Sequence, residues 1–110
     1  MNVLNNTTNS NFTRASDVKI PDIFNKRFKT GIESVDDLFG GAGFVPGFMA
    51  TLAAPAGCGK SSFALQVLEA LENNGKNTAF ISGEETIEQI SFSCKRLNVS
   101  SVPLANIVYV

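Results

Sequence analysis

With 110 residues, 44% of them hydrophobic, the chain can build one modest core and no more. It has no histidine and only two cysteines, Cys58 and Cys94, spaced neither for zinc nor for a disulfide framework. Imidazole chemistry is thereby excluded, and a reduced, cytoplasmic setting is expected. No charged-then-apolar signal segment opens the chain and no apolar run reaches about 18 residues, so neither secretion nor membrane spanning is expected.

The net charge of −1 hides an asymmetry: residues 1–30 hold five Lys/Arg against two Asp/Glu, and the remainder four against eight. A basic first segment suits either a solvated tail or a contact with nucleic acid. Residues 1–22 are rich in Asn, Thr and Ser and show no helical or alternating period, so they are predicted to form a flexible polar leader. A short helix is predicted over residues 31–39, with Ile32, Val35, Leu38 and Phe39 on an apolar face and Glu33, Asp36 and Asp37 toward water. Gly40 and Gly41 stop it, and a loop follows through Gly43, Pro46 and Gly47, with Phe44 and Val45 as its apolar anchor.

Residues 48–53 form an apolar run bounded by turn residues, as expected of a strand buried on both faces of a parallel sheet. Ala64, Val67, Leu68 and Leu71 then recur at helical spacing, and Asn73, Asn74 and Gly75 end that helix. A second strand is expected over residues 78–82. Thr86 and Gln89 are placed to form a capping box on a further helix, whose apolar stripe includes Ile87, Ile90, Cys94 and Leu97. Cys94 reads most simply as a small core residue. A turn region over residues 98–105 and a third strand over residues 107–110 complete the prediction.

Between the first strand and its helix lies Ala54-Pro55-Ala56-Gly57-Cys58-Gly59-Lys60-Ser61. It departs from the phosphate-binding pattern G-x-x-x-x-G-K-[ST] only in carrying Ala54 at the first position. A triphosphate is strongly anionic, and a loop that enters a helix N-terminus answers it with inward N–H groups and the positive end of the helix dipole. Gly57 and Gly59 let the backbone curl, Lys60 offers an ammonium to the β- and γ-phosphates, and the Ser61 hydroxyl can ligate Mg²⁺. The expected nucleotide-binding residues are Ala54, Pro55, Ala56, Gly57, Cys58, Gly59, Lys60, Ser61 and Ser62, with ATP and Mg²⁺ as ligands. Glu84, just beyond the second strand, is placed to activate a water that attacks the γ-phosphate, or else Glu84 and Glu85 are acidic first-turn residues of the next helix.

Thr30-Gly31-Ile32 with Val35-Asp36 and Leu38, Gly40-Gly41, Val45-Pro46-Gly47, the phosphate loop through Leu65-Gln66-Val67, and residues 80–85 with Glu88-Gln89-Ile90 together resemble the RecA-like ATPases, above all the bacterial RadA (Sms) branch, with KaiC-like and DnaB-like relatives. The resemblance implies an α/β fold of P-loop NTPase type, a three-layer sandwich around a parallel sheet. Residues 23–110 would be the N-terminal portion of that core, incomplete at its C-terminus because no second apolar strand ending in a Mg²⁺-holding aspartate is reached. It implies a glutamate at Glu84 acting on the attacking water, DNA as a partner of the complete protein, and self-association or pairing with a related subunit. The RadA-type four-cysteine zinc module has no counterpart in the leader. A DNA-dependent repair or recombination ATPase, a KaiC-like signalling ATPase and a non-catalytic nucleotide-binding interaction module all fit these residues.

Overall fold

The computed structural model describes residues 11–107. Two 3-10 turns, Ala15–Asp17 and Asp22–Asn25, precede α1 (Glu33–Asp37), α2 (Lys60–Asn73), β1 (Phe80–Ser82), α3 (Ile87–Leu97) and β2 (Leu104–Asn106). Within the predicted leader, residues 1–10 lie outside the described residues, and residues 11–22 are exposed. Among the described residues no helix is long and apolar enough to cross a membrane.

The helix α2 persists for 14 residues because its sequence contains no glycine or proline and is rich in Leu, Ala and Glu. It buries apolar residues on two sides. Leu65 joins Ile90, Cys94, Val99 and Val102 in one cluster, while Val67 and Leu71 join Val35 in another, and Leu68 packs against both. The residues that start α2 are therefore carried on an element fixed between two cores. The capping box predicted for α3 is present: Gln89 N–H donates to Thr86 Oγ1 at 3.2 Å, and Thr86 N–H donates to Gln89 Oε1 at 2.9 Å. Cys94 is buried as expected, and that burial, followed by the charge of Glu69, pushes its thiol pKa up. Glu69 accepts from the N–H groups of Ser100 and Ser101, which ties α2 to the turn after α3 and, through the Ser100 N–H first, holds its carboxyl below the usual range.

The sheet consists of β1 and β2, parallel and in the register Phe80↔Leu104, Ile81↔Ala105, Ser82↔Asn106, with α3 as the crossover. Three expectations are corrected here. The run of residues 48–53 joins neither strand and is exposed, Met49 at 94%. An apolar run is a strand only where a neighbouring strand takes its backbone donors and acceptors; Phe48 N–H turns back to Val45 O at 3.2 Å, and among the described residues no strand pairs with the run. The second strand starts at Phe80 because the Thr78 N–H and hydroxyl both turn to Glu72 Oε1, at 2.9 Å each. The last strand starts at Leu104, inside the predicted turn region: Pro103 lacks an N–H, but its carbonyl accepts from Phe80 N–H at 2.9 Å and so begins the ladder. Ile107 N–H donates to Ser82 O at 3.0 Å, and residues 108–110 of the predicted third strand lie outside the described residues.

A fourth correction concerns α1. Asp36, expected in water, is 5% exposed, whereas Leu38, expected in the core, is 78% exposed. The Asp36 carboxylate accepts from Thr30 N–H at 2.8 Å, Thr30 Oγ1 at 2.9 Å and Gly31 N–H at 3.2 Å. These bonds, the Thr30 N–H first, hold its carboxyl below the usual carboxylate range against the opposing effect of burial. The following loop is pinned by an antiparallel bridge between Phe28 and Phe44. Phe44 is the anchor expected of it, with its ring 4.8 Å from Phe39 and 4.8 Å from Phe48.

Candidate phosphate-binding site

The start of α2 is shaped by two glycines. Gly57 has φ 83° and is the third residue of a turn closed by Cys58 N–H donating to Pro55 O at 3.3 Å. Gly59, with φ 82° and ψ 26°, is the N-cap residue and provides no side-chain cap. A Cβ added at either position would meet nothing within 4 Å, so glycine is required by the left-handed backbone rather than by space.

The first intrahelical bond at this end is Phe63 N–H to Gly59 O at 2.9 Å. The N–H groups of Lys60, Ser61 and Ser62 therefore have no carbonyl within the helix, and the first turn carries no acidic residue. A helix that begins with neither cap nor acid presents its positive end openly. Lys60 Nζ lies across the loop and donates to Ala54 O at 2.8 Å. Leu52, Ala54, Cys58, Gly59, Lys60 and Phe63 line a recess of about 220 Å³ at this point. Cys58 is exposed, so its thiol faces solvent at the mouth of the loop.

The segment after β1 reaches the same place. Buried Ser82 accepts through Oγ from the N–H groups of Glu84, at 3.2 Å, and Glu85, at 2.9 Å, which turns the chain sharply beyond the strand. Asn106 Nδ2 donates to Glu85 O and ties this turn to β2. Ser61 Oγ donates to Glu85 Oε1 at 3.5 Å, a long contact, and Arg96 Nη2 donates to Ser62 Oγ at 3.2 Å. Glu84 is exposed, and its carboxylate makes no hydrogen bond among the described residues. Both glutamates precede the Thr86 cap, so neither is a first-turn residue of α3; Glu88 is. Sequence reasoning selected Glu84 and passed over the Glu85 and Arg96 contacts. The only local signal was Ser82 ahead of the pair, and it fixes a turn without naming which side chain turns inward.

Residues 28–106 match the family model described as the KaiC ATPase. The chain belongs to this KaiC-type ATPase family. It is also similar to the DNA repair protein RadA of Aquifex aeolicus, 40% identical over 76 residues, which is 69% of this chain and 17% of that protein. The RadA of Salmonella typhimurium is 34% identical over 98 residues, 89% of this chain and 20% of its own length. That of Escherichia coli is 34% identical over 86 residues, 78% of this chain and 18% of its own length. The chain thus spans a fifth or less of the relatives it matches. No solved structure matches it. Membership of the KaiC-type family brings with it a P-loop fold, of which the described residues form the glycine loop, three helices and a small parallel sheet.

Proposed function

We propose that this domain binds Mg²⁺-ATP through residues 54–62, as the phosphate-gripping part of a RecA-like three-layer ATPase core. The observation that carries the reading is the start of α2, where three N–H groups lie open behind two left-handed glycines, with Lys60 across the mouth. On this reading residues 23–110 belong to that core, residues 1–22 precede it as a leader, and Lys60 leaves Ala54 O for the β- and γ-phosphates. Ser61 Oγ and the nearby Glu85 carboxylate are a hard oxygen set of the kind Mg²⁺ prefers, so the residues fit the ion. Bound there, Mg²⁺ would neutralise charge between the β- and γ-phosphates.

Cys58 provides a direct test. It lines the recess and is exposed, whereas Cys94 is buried with a raised pKa, so Cys58 is the thiol that a maleimide meets first. Saturating Mg²⁺-ATP is expected to slow its alkylation about tenfold, since bound phosphates would limit access to the loop. An unchanged rate at concentrations that saturate the folded protein would remove the loop from the binding site.

For hydrolysis, Glu84 is proposed to orient the attacking water and Glu85 to support the metal. This division is supported by the Ser61–Glu85 contact and by the exposed, uncommitted Glu84 carboxylate. In a protein containing this domain, Glu84→Gln is expected to cut ATP turnover about 100-fold with binding held within about twofold. Glu85→Gln should instead raise the Mg²⁺ concentration needed for half-maximal turnover. Equal effects of the two substitutions on both quantities would reject the division. Action on DNA is supported by the name that the RadA relatives carry, and a KaiC-like signalling ATPase by the name of the family model. Turnover stimulated by single-stranded DNA favours the first reading; turnover indifferent to DNA favours the second.

A further inference from the structure

The last turn of α3 brings a cation to the start of α2. Arg96 Nη2 donates to Ser62 Oγ at 3.2 Å, and among the described residues no carboxylate pairs with its guanidinium. Its surroundings carry the open N–H groups of Lys60, Ser61 and Ser62 and the helix dipole behind them, with the Glu85 carboxylate lying against Ser61 Oγ. A cation at a helix N-terminus is ordinarily unfavourable, and the first turn of α2 supplies no acid to offset it. The ordinary account of Arg96 is that it favours the C-terminal end of its own helix. Lys95 already supplies that charge in the same turn, and the dipole of α3 gives no reason for Arg96 to cross to another helix. An anion at the start of α2 does, and the Glu85 carboxylate already there bonds to the Ser61 hydroxyl and not to Arg96.

We propose that Arg96 is a further phosphate-binding residue of the nucleotide site, acting on the phosphates that ATP and ADP share. The proposal rests on the phosphate-loop reading above. Lys60 and Ser61 are committed there to the β- and γ-phosphates and to Mg²⁺, while the backbone N–H groups of such a loop cradle the α- and β-phosphates. Ser62 lies one residue farther into the helix than Ser61, so a guanidinium beside it belongs to the α,β end. Ser62 engages a single guanidinium nitrogen, Nη2, and the planar group has further N–H donors suited to a phosphate edge. Arg96 is exposed and reaches the site from a helix whose own burial rests on Ile90 and Cys94, so its charge can be removed without opening a core.

The test is titration of Mg²⁺-ATP and Mg²⁺-ADP into the wild type and the Arg96→Ala, Arg96→Lys and Ser62→Ala variants, at low and high salt. Arg96→Ala is expected to weaken both nucleotides by about tenfold and to make their binding less salt-dependent. Arg96→Lys should regain part of that loss, since it restores the charge without the planar fork. Ser62→Ala, which removes the hydroxyl partner but keeps the Ser62 N–H and the Arg96 charge, should lose less than Arg96→Ala, and melting without nucleotide should stay close to the wild type in all three. Wild-type affinity in Arg96→Ala overturns the assignment, and a loss confined to ATP overturns the placement at the α,β end. Equal losses in Arg96→Ala and Ser62→Ala, with no recovery in Arg96→Lys, would make the contact a structural tether. A folded wild type that binds neither nucleotide would overturn the phosphate-loop reading itself, and Arg96 with it.

Discussion

Lys60→Ala is expected to weaken Mg²⁺-ATP binding about 100-fold in a calorimetric titration while lowering the melting temperature of the unliganded chain by at most about 5 °C. An ammonium about 4 Å from a phosphate charge gains about 4 kcal/mol at the effective dielectric of a protein surface. Exchanging the Ala54 carbonyl for that phosphate forfeits one exposed hydrogen bond, about 1 kcal/mol, and leaves about 3 kcal/mol, or about 100-fold. Stability should not follow affinity, because Lys60 is exposed and packs in neither core cluster. Equal affinity in the variant, or a melting point that falls in step with affinity, would reject the assigned role.

The backbone of the loop was legible in the sequence because what shapes it is local. Gly57 and Gly59 are demanded by backbone angles, Lys60 and Ser61 follow directly, and the helix after them is written in its own residues. The Thr86–Gln89 capping box and the burial of Cys94 were legible for the same reason. Asp36 was misread because a helical wheel sends every carboxylate to water, while its partners Thr30 and Gly31 precede the helix that carries it. Residues 48–53 were misread because apolar character shows that a run can be buried, and only a neighbouring strand makes it part of a sheet. Glu84 and Glu85 are adjacent and chemically alike. Which of them faces Ser61 follows from the turn at Ser82 and the tether from Asn106, a residue more than twenty positions away. Arg96 was invisible for a similar reason, since its contact with Ser62 spans 34 positions and depends on how α2 and α3 pack.

Gly43→Ala tests how the segment leading to the loop is held. Gly43 has φ 86° and is buried, and a Cβ there would meet Phe28 O, Phe28 C at 2.6 Å and Lys29 Cα at 2.7 Å, all atoms of the backbone. No side-chain rotation relieves such a clash, so the Phe28–Phe44 bridge has to open, with its hydrogen bonds of 3.0 and 2.7 Å and the edge contact of the two rings. Two hydrogen bonds at about 1 kcal/mol each, about 1 kcal/mol for the aromatic pair and about 1 kcal/mol for the left-handed alanine sum to about 4 kcal/mol. For a domain of this size that is a fall of about 20 °C in melting temperature. Gly47 is the control: its φ is 83°, but a Cβ there meets nothing within 4 Å, so Gly47→Ala carries only the backbone term, about 1 kcal/mol or about 5 °C. Asparagine separates the two causes, since it tolerates a left-handed backbone yet still carries a Cβ. Gly47→Asn should be close to neutral and Gly43→Asn nearly as damaging as alanine; similar small losses at both sites would mean that the bridge gives way at little cost. Because the Phe48 ring packs edge-on or tilted against Phe39 and Phe44, opening the bridge should also loosen the run that enters the phosphate loop, and the surviving folded fraction should bind Mg²⁺-ATP more weakly than the Gly47 variants.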